Sequence, residues 1–110
     1  MIGDTVQRIL QDNQVKRAMD FLKADDETTL NEQLEIVQIP SPTFEEAERR
    51  ASLVERIKRY GINDIEIDEA GNLVATRKGS DHGPNIVISS HMDTVFDRDT
   101  DLTVKKDGNI

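Results

Sequence analysis

Three consecutive apolar residues, Ile86, Val87 and Ile88, constrain the fold of this chain more than any other feature of its sequence. They follow the turn signal Gly83-Pro84, and a short apolar run in that position is typical of a β-strand. Because the apolar side chains are consecutive, both faces of the strand are predicted to be buried. We therefore expect residues 85–90 to form a central, parallel strand of an α/β fold.

Apolar residues at helical spacing predict two helices before Pro40. The first is expected to begin at a capping box made by Asp4 and Gln7 and to run to about Lys23. The second must end before Pro40, because proline disfavours the helical conformation of the residue that precedes it. Its apolar face consists of Leu30, Leu34 and Val37.

A third helix is predicted from Thr43 to Gly61. Thr43 and Glu46 have the spacing of a capping box, and Gly61 is suited to end the helix. The charged run Glu48-Arg49-Arg50 is interpreted as a solvated face. The predicted apolar stripe contains Phe44, Ala47, Ala51, Val54 and Ile57.

Beyond this helix the hydrophobic period changes from helical spacing to alternation. Ile65 and Ile67 alternate with acidic residues, which predicts a strand with one solvated face. Gly71 and Asn72 predict a turn, and residues 73–77 then return as the second strand of a hairpin. His82 lies in the loop that follows and is expected to be exposed and without a role.

His91 and Asp93 follow the predicted central strand and are two residues apart. Side chains at that spacing in a strand point the same way, and open α/β sheets bind ligands at the carboxyl ends of their strands. A metal-ligating histidine commonly donates its second ring N–H to a carboxylate. The same spacing also fits a histidine that only hydrogen-bonds near a strand end.

Other metal ligands are scarce in this sequence. There is no cysteine, so a zinc ion would need His, Asp and Glu ligands. Asp97, Asp99 and Asp101 have the spacing that opens a calcium loop, but Leu102 and Gly108 occupy positions that require glycine and glutamate, which excludes an EF-hand. A solvated acidic turn is the better interpretation.

Composition excludes some classes of function. The net charge is -8 and there is no cluster of Lys and Arg, which argues against nucleic-acid binding. No apolar stretch has the length of a membrane span or of a signal-peptide core. We expect one domain in a cytoplasmic protein.

Three segments in order, residues 39–46, 71–75 and 88–96, resemble the N-terminal part of the M20 family of zinc metallopeptidases. The first contains Pro40-Ser41-Pro42-Thr43 and the last contains His91-Met92-Asp93. The resemblance implies that His91 ligates one metal of a two-zinc site and that Asp93 is the catalytic-site carboxylate that orients it. The remaining ligands and the glutamate base of the family have no counterpart in this sequence. Glu45-Glu46 is not the catalytic pair, because it lies upstream of His91.

The resemblance implies hydrolysis of a peptide or of an acylated amino acid by a zinc-activated water, in an intact protein that is a homodimer. Residues 1–110 would be the N-terminal part of a three-layer α/β/α catalytic domain, with residues 1–27 as a helical extension. We expect the chain by itself to be inactive and to expose apolar surface. Two alternatives stay open: an N-acyl amino acid or other amide hydrolase of the same family, and a non-enzymatic acidic α/β module.

Overall fold

The computed structural model describes residues 1–108, which belong to two compact units, Met1–Glu35 and a second that begins at Ile36. The chain begins with helices α1 (Ile2–Gln11), α2 (Asn13–Ala24) and α3 (Asp26–Val37). The end of α3 agrees with the predicted stop before Pro40. The assignment of the whole chain to one catalytic domain stays a prediction.

The prediction of a single first helix was wrong, because the chain breaks between α1 and α2. Asp12 has an extended backbone, and its carboxylate accepts hydrogen bonds from the backbone N–H groups of Gln14 at 2.7 Å and Val15 at 3.2 Å. These bonds satisfy donors that have no partner within the helix, so Asp12 starts a new helix. Asp4 does not cap α1, which begins after Met1.

The second unit contains helix α4 (Ala47–Arg59), which begins later than the capping-box prediction placed it. Phe44 has a φ of 70°, which is outside the helical region, and its N–H donates to a carboxylate oxygen of Glu46 at 2.7 Å. Glu46 therefore closes a turn before the helix, and Thr43 does not cap it. The helix ends as predicted at Gly61, whose φ of 81° and N–H bond to the Lys58 carbonyl make a left-handed cap.

The inner face of α4 differs from the predicted apolar stripe. Arg49 is 6% exposed and Arg50 is half-buried, so the charged run is not a solvated face. Phe44, Ala47 and Ala51 are exposed instead. The buried side of the helix is centred on an arginine because its guanidinium finds backbone carbonyls as partners.

Strands β1 (Asp64–Ile67) and β2 (Leu73–Thr76) form the predicted antiparallel hairpin, with Ile65 opposite Ala75. Gly71 has a φ of 86° in the turn, and its carbonyl accepts a hydrogen bond from Arg50 at 2.8 Å. The carboxylate of Asp68 accepts from the backbone N–H and the side-chain amide of Asn72, each at 2.8 Å. The bond from the Asn72 side chain, which is the main cause, lowers the pKa of Asp68.

The predicted central strand at residues 85–90 does not form. Ile86, Val87 and Ile88 are 85%, 85% and 92% exposed, because no strand in the described part of the chain pairs with this segment. The sequence also predicts a strand at residues 102–105 that leads into a hairpin turn at Asp107-Gly108-Asn109. Residues 102–105 have no strand structure, and Asn109 lies outside the described residues. The apolar exposure that the sequence predicted is confirmed.

The α/β class is confirmed by four helices and a two-stranded antiparallel sheet over residues 1–108. No hydrophobic residue in that range is buried, whereas Ser41 and Arg49 are. None of the four helices in that range could span a membrane. The buried centre of the second unit is therefore polar, and it lies beside the candidate functional site.

Candidate functional site

His91 and Asp93 lie close together in an irregular segment that follows the apolar run. Nδ1 of His91 is 3.6 Å from Oδ1 of Asp93, which is longer than a hydrogen bond but places the carboxylate against that ring nitrogen. The His91 side chain is 98% exposed and that of Asp93 is 30% exposed. The imidazole is thus free to turn toward a ligand on its Nε2 side.

Thr43 fixes the other oxygen of the Asp93 carboxylate. Its hydroxyl Oγ1 donates a 2.8 Å hydrogen bond to Oδ2. Oδ1 is left to face the imidazole, so the two carboxylate oxygens have separate partners. The sequence prediction gave Thr43 a helix-capping role and missed this contact.

A short parallel pairing brings Thr43 beside Asp93. Pro42 and Thr94 form a parallel β-bridge, and the N–H of Thr94 donates to the Ser41 carbonyl at 2.8 Å. Proline at position 42 favours an extended backbone at Ser41, and Pro40 restricts the residue before it in the same way. The two prolines therefore stiffen the segment on which Thr43 is carried.

The carbonyl of Met92, between His91 and Asp93, is held by two buried donors. Ser41, 1% exposed, donates from Oγ at 3.0 Å, and Arg49 donates from Nη1 at 3.1 Å. Arg49 also binds the Ile39 carbonyl through Nε at 3.1 Å and Nη2 at 2.6 Å. Burial lowers the pKa of Arg49, but an arginine remains charged at any ordinary pH. Helix α4 thereby ties both segments of the site together.

Sequence reasoning missed Ser41 and Arg49 as residues that shape the site. One available signal was the position of Arg49, which shares a helix face with Leu53 and Ile57 at intervals of four residues. The other was the position of Ser41 between two prolines. Neither signal identifies the acceptor, because Met92 is more than forty residues away in the chain.

Arg98 forms exposed ion pairs with Glu45 and Glu48, near the start of helix α4. Nε of Arg98 is 2.8 Å from Oε2 of Glu45, and Nη1 is 3.7 Å from Oε2 of Glu48. The hydrogen bond to Glu45 raises the pKa of Arg98. Because exposed ion pairs contribute little to stability, we regard this contact as secondary to the buried ones.

An open groove of about 1520 Å³ runs beside the hairpin, and His91 and Asp93 lie on its wall. The exposed apolar side chains of Ile86, Val87 and Ile88 line it together with β2. The groove lies where the apolar segment has no neighbouring strand among the described residues.

Within residues 1–108, no three His, Cys, Asp or Glu side chains are grouped as metal ligands. Asp101 of the acidic run instead accepts from the N–H of Thr103 at 3.0 Å, and hydrogen bonds from Thr103 lower its pKa. His82 is exposed, as predicted. The donor set fits one metal ligand, His91, with a carboxylate behind it, and the zinc site stays a prediction.

Comparison with known proteins finds relatives that are named as hydrolases. No family model matches the chain. A Thermococcus kodakarensis protein with the provisional name LysW-lysine/LysW-ornithine hydrolase is 42% identical over 60 residues, covering 54% of this chain and 17% of the relative. A Pyrobaculum aerophilum protein of the same name is 41% identical over 76 residues, covering 69% of this chain and 20% of the relative. The chain spans about a fifth of the length of these curated relatives.

Bacillus subtilis YqjE, a protein without an assigned activity, is also similar. It is 41% identical over 73 residues, covering 60% of this chain and 20% of the relative. The Thermococcus and Pyrobaculum relatives are thus named as hydrolases, whereas the Bacillus relative carries no functional name.

Proposed function

We propose that this chain is the N-terminal portion of a metal-dependent hydrolase of the M20 type that cleaves peptide bonds. One observation carries the proposal: the imidazole of His91 is exposed with Nδ1 against Asp93, in a chain similar to proteins named as hydrolases. His91 would be a zinc ligand and Asp93 its orienting carboxylate. The remaining ligands would come from other parts of a longer, cytoplasmic protein that forms a homodimer.

The chain's own residues would prepare the ligand rather than perform the hydrolysis. A proton on Nδ1 of His91 would face Asp93, which leaves Nε2 as the coordinating atom. A zinc ion held there would lower the pKa of water and polarise the substrate carbonyl.

A second candidate is hydrolysis of an amide bond to an amino acid such as lysine or ornithine. The names of the relatives favour it, because they describe hydrolysis of LysW-lysine and LysW-ornithine. Both candidates need the same metal chemistry. They differ in the part of the substrate that the protein recognises.

Zinc titration of the 15N-labelled chain tests the metal-binding role, with His82 as an internal control in the same molecule. We expect the ring nitrogens of His91 to shift at lower zinc concentration than those of His82. Asp93→Asn should weaken the His91 response by about 10-fold, the lower end of losses for orienting carboxylates. Equal responses from the two histidines would refute the role of His91.

Segment exchange tests the enzymatic role. Residues 36–108 would replace the matching segment of the Thermococcus kodakarensis relative, and the hybrid would be assayed on dipeptides and on N-acylated lysine. We expect hydrolysis by the hybrid, its loss in His91→Ala and its retention in His82→Ala. Equal activity of the two variants would contradict the proposal, and the preferred substrate would separate the two candidates. The isolated chain should hydrolyse neither substrate.

A further inference from the structure

The contact between Thr43 and Asp93 has a feature that stability alone does not require. Thr43 is exposed, yet its hydroxyl bonds to Oδ2 of a carboxylate whose Oδ1 faces a histidine. An exposed hydroxyl can bond to water at little cost, so this bond contributes modestly to folding. What it does set is the rotation of the carboxylate.

The backbone on both sides of this contact is already fixed. Ser41 and Arg49 hold the Met92 carbonyl, and the pairing of Pro42 with Thr94 sets the distance between the two segments. The remaining freedom of Asp93 is its side-chain rotation. The hydroxyl of Thr43 removes that freedom, because it reaches only one of the two oxygens.

We propose that Thr43 is a positioning residue for the metal ligand: it holds Oδ2 of Asp93 so that Oδ1 stays 3.6 Å from Nδ1 of His91. The negative charge of the carboxylate at that position favours a proton on Nδ1 and leaves Nε2 for coordination. The proposal rests on the proposed function of His91. It assigns to Thr43 a role in ligand geometry, before any metal is bound. The consequence is an imidazole whose proton is biased to Nδ1 in the free chain.

Multiple-bond 1H–15N spectra of the full chain measure this bias directly, because the two ring nitrogens have different shifts in each tautomer. The spectra would be recorded at about pH 8.5, where an ordinary imidazole is neutral. His82 again provides the reference for an exposed ring. We expect the Nδ1–H form to be more populated in His91 than in His82.

Three variants separate positioning from a general structural role. Thr43→Val keeps the shape but removes the hydroxyl, so the His91 tautomer ratio should move to that of His82. Thr43→Ser keeps the hydroxyl and should retain the wild-type ratio. Thr28→Val makes the same chemical change at an exposed position in α3 and should have no effect. Unchanged amide shifts in the hairpin would show that each variant is folded.

Each outcome decides the proposal. The proposal would be overturned if Thr43→Val kept the wild-type tautomer ratio of His91, or if Thr43→Ser gave the same ratio as Thr43→Val. It would also be overturned if His91 and His82 had equal ratios in the wild type. The zinc titration keeps the two ideas distinguishable. If His91 still responds to zinc before His82 while Thr43→Val leaves the tautomer unchanged, the proposed function stands and the role of Thr43 falls.

Discussion

Replacing Arg49 by methionine should loosen the segment that carries His91 and Asp93 while the hairpin stays formed. The guanidinium is the partner of two carbonyls, those of Ile39 and Met92. Met92 keeps its bond from Ser41 after the substitution, but the acceptor at Ile39 loses both bonds from the guanidinium. A fully buried carbonyl that loses its partner costs about 1–3 kcal/mol, and Ile39 is only half-buried. The long apolar stem is retained, so packing changes little.

We take about 1 kcal/mol as the expected loss in the free energy of local opening, the lower end of that range, because water can partly replace the lost donors. Since 1.4 kcal/mol corresponds to a factor of ten, this loss is about 5-fold in the opening equilibrium. The N–H of Thr94 reports the opening directly, because it donates to the Ser41 carbonyl across the two segments. Its amide hydrogen exchange should accelerate by that factor, up to the rate of an unprotected amide.

Arg50→Met is the matched control for this measurement. Arg50 is the neighbouring residue, and its bond goes to the Gly71 carbonyl in the hairpin turn. It should accelerate exchange in that turn and leave Thr94 unchanged. Equal exchange of Thr94 in wild type and Arg49→Met, or equal acceleration by both substitutions, would refute the assignment of Arg49 to the site.

Gly71→Ala should destabilise the hairpin more than Gly61→Ala destabilises the end of α4. Both positions have a positive φ, which costs an alanine about 1–2 kcal/mol. A Cβ at Gly71 would also lie 2.8 Å from Nη1 of Arg50, which would have to move and give up its bond to the Gly71 carbonyl. Thermal melting followed by amide shifts compares the two variants, and an equal cost would contradict the loss of this bond. The turn should weaken in acid, because the pKa of Asp68 is below its ordinary value when folded. The contribution of the Asp68 carboxylate to the stability of the turn is complete above about pH 4 and is lost as the pH falls through the folded pKa. The amide shift of Asn72 should therefore change over that pH range in the wild type and stay constant in Asp68→Asn. Serine at both positions 86 and 88 should reduce binding of a hydrophobic dye, since those side chains are 85% and 92% exposed; unchanged fluorescence would show that another surface binds the dye.

Local sequence signals were sufficient where an element depends on its own residues. The hairpin formed as predicted because alternation from Ile65 and a turn glycine at Gly71 act within a few residues. The ends of α3 and α4 were also predictable, since Pro40 and Gly61 restrict the backbone at those positions. The exposure of apolar surface followed from an apolar run that needs neighbours on both faces.

The predictions failed where a local pattern competed with a distant partner. Thr43 and Glu46 had capping-box spacing, but Asp93 takes the hydroxyl of Thr43 and the helix starts later. Arg49 was expected in solvent, but two carbonyls bind it. Spacing in sequence carries no information about a partner that arrives from elsewhere in the chain.

The sequence by itself determined the α/β class, the hairpin and the proximity of one histidine to one carboxylate. Only the tertiary structure decided how that carboxylate is oriented, because its donor, Thr43, lies 50 residues earlier in the chain. It also decided that the buried centre is Ser41 and Arg49 rather than an apolar strand. The physical reason is that buried polar groups need specific hydrogen-bond partners, and those partners are fixed by the fold.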